Sequence, residues 1–227
     1  MRLTIPPTKS REDAIRRLSL RLRQVWRDPQ DRLKVEAITA ALDAKYSLGD
    51  KLAREEGVQD ILLQMTGRIA LAFGNISAIR GQRILDIASG SNTSRAPASL
   101  FVNSPLGERR MGLAARGYTA LFEPWFCRLL VELGAEPVGV DMGDLEGEAF
   151  EHYWVDLGQR GALDFLPDHS FDAAQDSRLF GSPEFTAQFP DPAERLRVAG
   201  EIWYQEQRVL KPGGIVIHSD AGELLSQ

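Results

Sequence analysis

From residue 81 onward the chain alternates short apolar runs with helix-like segments, and this alternation constrains its fold more than any other feature. The strand candidates are 83–87, 137–140, 152–155, 171–175 and 215–218. Helix-like segments lie between them at 124–133, near 161–166 and at 192–209. Pro124 is suited to a first helical position, and Gly134 to a left-handed cap after the last. Alternating β and α units imply a parallel sheet covered on both faces. The expected class is therefore α/β, with a doubly wound, mostly parallel sheet over residues 81–227.

Residues 1–80 read differently. Ser10 precedes "REDAIRRLSLRLRQVWRD" as a helix start, with an acid at Asp13 in the first turn. Ile15, Leu18, Leu22, Val25 and Trp26 share one face. A second stripe has Leu33, Ile38, Leu42 and Tyr46, ending near Gly49, and a third has Val58, Ile61, Leu62, Met65, Ile69 and Phe73. An N-terminal helical extension or cap is expected here. Its first 34 residues hold ten Lys/Arg against four acids. That balance suits either an acidic partner or a solvated helix face. No aromatic platform accompanies it, so nucleic-acid binding is not the favoured reading.

Composition narrows the class further. The net charge of −5 argues against a surface that coats nucleic acid generally. One cysteine, Cys127, allows neither an intrachain disulfide nor a zinc site built on cysteines. The start carries no signal-like apolar core, and no run of about eighteen apolar residues occurs. A cytoplasmic protein without membrane association is expected.

Open parallel sheets bind ligands beyond the carboxyl ends of their strands, where strand order reverses. The residues at those ends are acidic and small. Asp86, Ala88, Ser89, Gly90 and Asn92 follow the first strand, Asp141 and Met142 the second, and Asp156 and Leu157 the third. The fourth ends in Gln175, Asp176 and Ser177, and the fifth in His218, Ser219 and Asp220. Each acid alone suits a turn or a helix cap. Acids at several ends of one rim are suited to the hydroxyls of a ribose.

The order "RILDIASGSN", "GAEPVGVDMG", "WVDL…LPDHSFDAA" and "RVLKPGGIVIHSD" resembles the class I S-adenosylmethionine-dependent methyltransferases over residues 81–220. The resemblance implies a Rossmann-like core with S-adenosylmethionine as cofactor and a small-molecule or protein methyl acceptor. It places Asp86, Ala88, Ser89, Gly90 and Asn92 in the loop under the methionine part of the cofactor. Asp141 would take the ribose hydroxyls, and Met142 would lie against the adenine. Asp156 and Leu157 would meet the adenine edge, and Asp176 and Ser177 would face the sulfonium methyl. "LKPGG" would be the turn entering the fifth strand.

Three departures accompany the resemblance. Ala88 and Asn92 stand where the family has glycine. Asp141 follows Gly90 by 51 residues, against about 20 in such folds; the excess at 93–122 reads as an insertion over the cofactor mouth. Arg95, Arg109, Arg110, Arg116 and Tyr118 are its candidate substrate contacts, and a surface excursion is the alternative. The last two strands of the family are not evident after Asp220, so the fifth strand is expected as an open edge. A second copy of the chain, a partner or the N-terminal helices could cover it.

For the chemistry, Asp176 and His218 are the candidate general bases, each with a structural alternative as a turn cap or a strand-end residue. Cys127, Trp203 and Tyr204 read as packing residues. His152 and His169 lack partners at metal spacing, so no metal site is expected. The main alternative is a non-catalytic methyltransferase-fold protein that binds a nucleoside ligand or a protein partner. A nicotinamide-dependent oxidoreductase fits less well, because "ASGSNT" does not match G-x-G-x-x-G.

Overall fold

The structure, a computed structural model, describes residues 10–54, 56–90, 123–143, 145–176, 179–180 and 183–218. The chain divides into two compact units, Met1–Ala78 and Ile79–Gln227.

In the first unit, α1 (Arg11–Val25) begins at Ser10, whose hydroxyl accepts the Asp13 N–H at 3.2 Å. Its buried face carries Ala14, Leu18 and Leu22, continued by Trp26 beyond the last turn. Asp28 caps α2 (Pro29–Tyr46), with Pro29 opening the helix. Ser47 ends it in the left-handed conformation, and α3 (Leu48–Arg54) follows at once. Leu33 does not join the α2 core stripe as expected: it is 66% exposed, while Ile38 and Leu42 are buried as expected and Val35 and Thr39 are buried beside them. Asp31 is buried beside them, where its carboxylate accepts the Ile76 N–H at 3.0 Å. That bond ties the start of α2 to α5 (Ile76–Ile79), after α4 (Glu56–Phe73).

The second unit is a five-stranded, all-parallel α/β sheet in the order β3-β2-β1-β4-β5, compatible with a Rossmann-like fold. Its strands are β1 (Arg83–Ile87), β2 (Glu136–Asp141), β3 (Glu151–Trp154), β4 (Phe171–Gln175) and β5 (Leu210–Ile217). Helix α6 (Trp125–Leu133) leads into β2, and α7 (Pro183–Gln188) and α8 (Pro192–Val209) connect β4 to β5. Four residues of β1 are fully buried, as a central parallel strand requires. Among the described residues β3 and β5 are the sheet edges.

The core of this unit joins Leu85 and Ile87 of β1, Val138 and Val140 of β2, and Phe171 and Ala174 of β4 to Val198, Ala199, Ile202 and Val209 of α8. At roughly 25 cal/mol per Å² of apolar surface removed from water, this burial is the main term holding sheet and helix together. At the opposite rim from the candidate site, Asp172 accepts the Arg83 N–H and pairs with Lys211 Nζ, both at 2.8 Å, which aligns the starts of β1, β4 and β5.

Three expectations are corrected. Pro124 precedes the first turn of α6 rather than occupying it, with ψ 59° outside the helical region. Residues 161–166 form consecutive turns closed three residues apart, Asp164 to Gly161 and Leu166 to Leu163, and Gly161 at φ +67° prevents a helix from starting. The fifth strand begins at Leu210, earlier than expected. Phe171 pairs with Leu210 but Ala173 with Ile215, so Lys211–Pro212–Gly213–Gly214 is looped out as a turn within the strand. Gly213, at φ +83°, makes that turn.

Candidate functional site at the strand ends

Strand order reverses between β1 and β4, because the chain runs β1, β2, β3 to one side and then places β4 on the other. The carboxyl ends of β1 and β4 therefore border the crevice where such sheets take ligands.

On the β1 side, the chain turns sharply after Ile87. Ala88 and Gly90 both adopt left-handed backbone, at φ +59° and +89°. The Ser89 N–H donates to the Val140 carbonyl at 3.1 Å and the Gly90 N–H to Asp141 Oδ2 at 3.1 Å, which ties the loop to the end of β2. Asp141 Oδ1 accepts the Gly143 N–H at 2.8 Å. A carboxylate has about four lone-pair sites. Among the described residues Asp141 thus spends one on each oxygen and keeps one on each. Gly139 leaves room beneath the loop: an added Cβ would stand 2.8 Å from Ser89 Oγ. Met142 is half-buried next to Asp141.

Asp156 lies beyond β3. Its Oδ1 accepts the Gly158 N–H at 3.0 Å and Gln188 Nε2 at 3.3 Å, and its Oδ2 accepts Gln159 Nε2 at 3.0 Å. It therefore organises its own turn and ties that turn to the end of α7. Leu157 is buried in the core beside it.

Asp86 faces inward from β1. Its Oδ1 accepts Gln175 Nε2 at 3.0 Å from β4, and its Oδ2 accepts the Cys127 thiol at 3.3 Å from α6. Burial pushes its carboxyl up to about 7, opposed by those two donors. Burial likewise pushes the Cys127 thiol up, followed in effect by the Asp86 charge. The cysteine is therefore a protonated donor, and the packing role expected for it is joined by this polar one.

On the β4 side, Asp176 is buried and His218 follows β5. His218 Nδ1 lies 2.7 Å from Asp176 Oδ2, and the Trp203 Nε1–H donates to the same oxygen at 3.2 Å. The His218 side chain is 36% exposed and that of Asp176 only 1%. The two candidate bases are thus one pair, with the imidazole as its accessible member. Burial raises the Asp176 carboxyl, and the charge and hydrogen bond of His218 oppose the shift. Trp203 is more than the packing residue expected: its ring stands edge-on to Phe180 at 5.4 Å and to His218 at 6.1 Å while its N–H holds the acid.

Glu206 completes this group from α8. It is fully buried, neither carboxyl oxygen has a hydrogen-bond partner among the described residues, and burial followed by the Asp176 charge pushes it up to about 9. The sequence offered one signal for it. Glu206 falls on the stripe of Val198, Ile202 and Val209, where a charged residue has no place unless it serves a polar site. Gln175 and Cys127 gave no such signal, since each is an ordinary residue on a buried element. His152 and His169, the histidines weighed for metal binding, lie elsewhere, and it is His218 that meets two carboxyl groups.

Asn92, Ser177, Ser219, Asp220 and the whole of 93–122, with Arg95, Arg109, Arg110, Arg116 and Tyr118, lie outside the described residues. No helix among the described residues is long and apolar enough to cross a membrane. No protein-family model matches the chain, and no curated protein or solved structure matches it.

Proposed function

We propose that the chain is an S-adenosylmethionine-dependent methyltransferase acting on a small-molecule or protein acceptor. The observation that carries this reading is Asp141. It stands at the end of β2, held by the Gly90 and Gly143 amides, with one acceptor site open on each oxygen among the described residues. Two open acceptor sites on one carboxylate match the two adjacent hydroxyls of a ribose. The left-handed Ala88 and Gly90 and the bare Gly139 suit a loop that a bound molecule approaches closely. The residues present therefore fit the cofactor.

When bound, S-adenosylmethionine supplies a methyl group on a sulfonium, already attached to a good leaving group. The chain's own contribution is to hold groups in place, and alignment of this kind is worth about 7–11 kcal/mol of barrier. Asp141 orients the ribose. Among the described residues Asp156 keeps one acceptor site beyond its three hydrogen bonds, enough for an adenine amino hydrogen. Across the crevice, Asp176 and Trp203 fix the His218 ring. The Asp176–His218 pair is the acid–base group on the acceptor side: in the tautomer with hydrogen on Nδ1, Asp176 accepts that hydrogen, and Nε2 is the atom that would receive a proton from an acceptor hydroxyl or amine.

The test is transfer of labelled methyl from S-adenosylmethionine into fractionated cell extract by the purified chain. Incorporation that His218→Ala reduces by about 10²-fold or more supports the reading. Cofactor binding without transfer to any fraction supports the non-catalytic alternative.

A further inference from the structure

We propose that Asp176, Glu206 and His218 form a binding site for one divalent cation of the zinc or manganese class. The three residues come from the end of β4, from α8 and from the end of β5. One potential ligand atom of each lies within 4.8 Å of the others. Asp176 and Glu206 are buried, and His218 opens the group to solvent.

The decisive member is Glu206. A buried carboxyl group needs donors for its oxygens, or an acceptor as well when it carries a proton. Among the described residues neither Glu206 oxygen has any partner, although the residue is 0% exposed. An orphaned carboxyl left inside a core is destabilising, and more so when charged. A glutamate placed there without a ligand would be a defect that alanine or leucine would remove.

A cation resolves the defect, and its charge matches. Two carboxylates and a neutral imidazole carry −2, which one divalent ion neutralises without leaving a charge in the core. The mixed donor set selects the class. Imidazole suits zinc, carboxylates suit manganese, and the absence of thiolate argues against a soft ion. Three protein ligands also leave a position open on the exposed side for water or a substrate oxygen, as in catalytic rather than structural sites. Ligand atoms about 2.1 Å from a common ion stand at most about 4.2 Å apart, so a group spread over 4.8 Å has to draw slightly inward as the ion binds. Trp203 acts one step further out. Its N–H on Asp176 Oδ2 orients that carboxylate, as the supporting partners of metal ligands do.

This site does not rest on methyl transfer, but an ion on His218 takes the lone pair that the base role requires, so the two roles exclude each other at any one moment. With an ion bound, the His218 lone pair is committed to it, and the accessible position becomes that of the ion.

The test is calorimetric titration of the full chain, dialysed against a chelator, with Zn²⁺ and separately with Mn²⁺. The expected result is about one ion per chain for at least one of the two, weakened at least about tenfold in both Glu206→Gln and His218→Ala. No saturable binding of either ion overturns the proposal, as does equal affinity in the folded variants. A second measurement uses the wild type alone: its melting temperature should rise with the ion and return with chelator, and an unchanged melt contradicts the site. S-adenosylhomocysteine binding, measured on the same samples, separates the two proposals. Metal failure with that binding intact overturns only this one, and loss of that binding with the metal retained overturns only the methyltransferase reading.

Discussion

The amide of Gly90 donates to the carboxylate of Asp141 at 3.1 Å, although 51 residues separate them in the chain. The spacing that departs most from a nucleotide-binding pattern is thus closed in space. β1 and β2 are adjacent and in register, with Asp86 opposite Gly139 and Ile87 opposite Val140, so the residues just past their ends must meet. The length between them does not disturb that pairing.

Asp86 predicts a pH dependence of stability. Its carboxyl is raised from its ordinary 3.8 to about 7 by burial. Below about pH 4 both folded and unfolded states hold the proton. Between about 4 and 7 the unfolded state releases it while the folded state keeps it, so stability falls as pH rises; above 7 the loss is complete. Each pH unit is worth about 1.4 kcal/mol, which sets an upper limit of about 4 kcal/mol. Asp86→Asn should therefore stabilise the chain at pH 8 and have little effect at pH 4, measured by denaturant titration. An equal effect at both values would contradict the assignment.

Ala88 is strained. A non-glycine residue in left-handed backbone carries about 1–2 kcal/mol, and φ +59° puts Ala88 there. The extra freedom that glycine gives the unfolded chain offsets about 0.4–1 kcal/mol of the relief. Ala88→Gly should raise stability by about 0.5–1 kcal/mol, visible as a higher melting temperature. A lower one would mean that the methyl group makes contacts that outweigh the strain.

Gly139 should tolerate nothing larger. An added Cβ would lie 2.8 Å from Ser89 Oγ and 3.2 Å from His152 Cδ2. Gly139→Ala should destabilise the chain by about 1–3 kcal/mol, as overpacking does. It should also displace the loop that carries Gly90, and weaken ligand binding beyond the stability loss.

Trp203→Phe keeps a ring against Phe180 and removes the donor to Asp176. Leaving a buried carboxylate short of one hydrogen bond costs about 1–3 kcal/mol. The denaturant midpoint should fall accordingly. A change below about 0.5 kcal/mol, the range of ordinary surface substitutions, would make Trp203 a packing residue after all.

The helix ends and sheet strands were legible because their signals are local. Ser10 before α1 and Gly134 after α6 supply the capping groups that their positions require. The apolar runs 83–87 and 171–175 coincide with β1 and β4. The segment 161–166 misled because Ala162, Leu163 and Leu166 carry helical spacing, while the backbone follows Gly161 into turns whose apolar residues serve the core. Leu33 misled differently: Ile38 and Leu42 of its stripe are buried as expected, but Val35 and Thr39 complete that face and Leu33 lies off it. In the candidate site, the acids at strand ends could be listed from the sequence, but their partners could not. Asp86 finds Gln175 and Cys127 only because β4 and α6 flank β1, and Glu206 meets Asp176 and His218 only because α8 packs back on the sheet.

Cofactor binding at Asp141 is tested by calorimetric titration of the purified chain with S-adenosylhomocysteine, beside Asp141→Asn. The Asn side chain keeps an oxygen for one backbone amide but has a single acceptor oxygen in place of two. Saturable binding of about one molecule per chain is expected, weakened at least about tenfold in the variant, the loss of one to two hydrogen bonds to a charged group. No binding to the native chain, or equal binding by both, would contradict cofactor binding at Asp141.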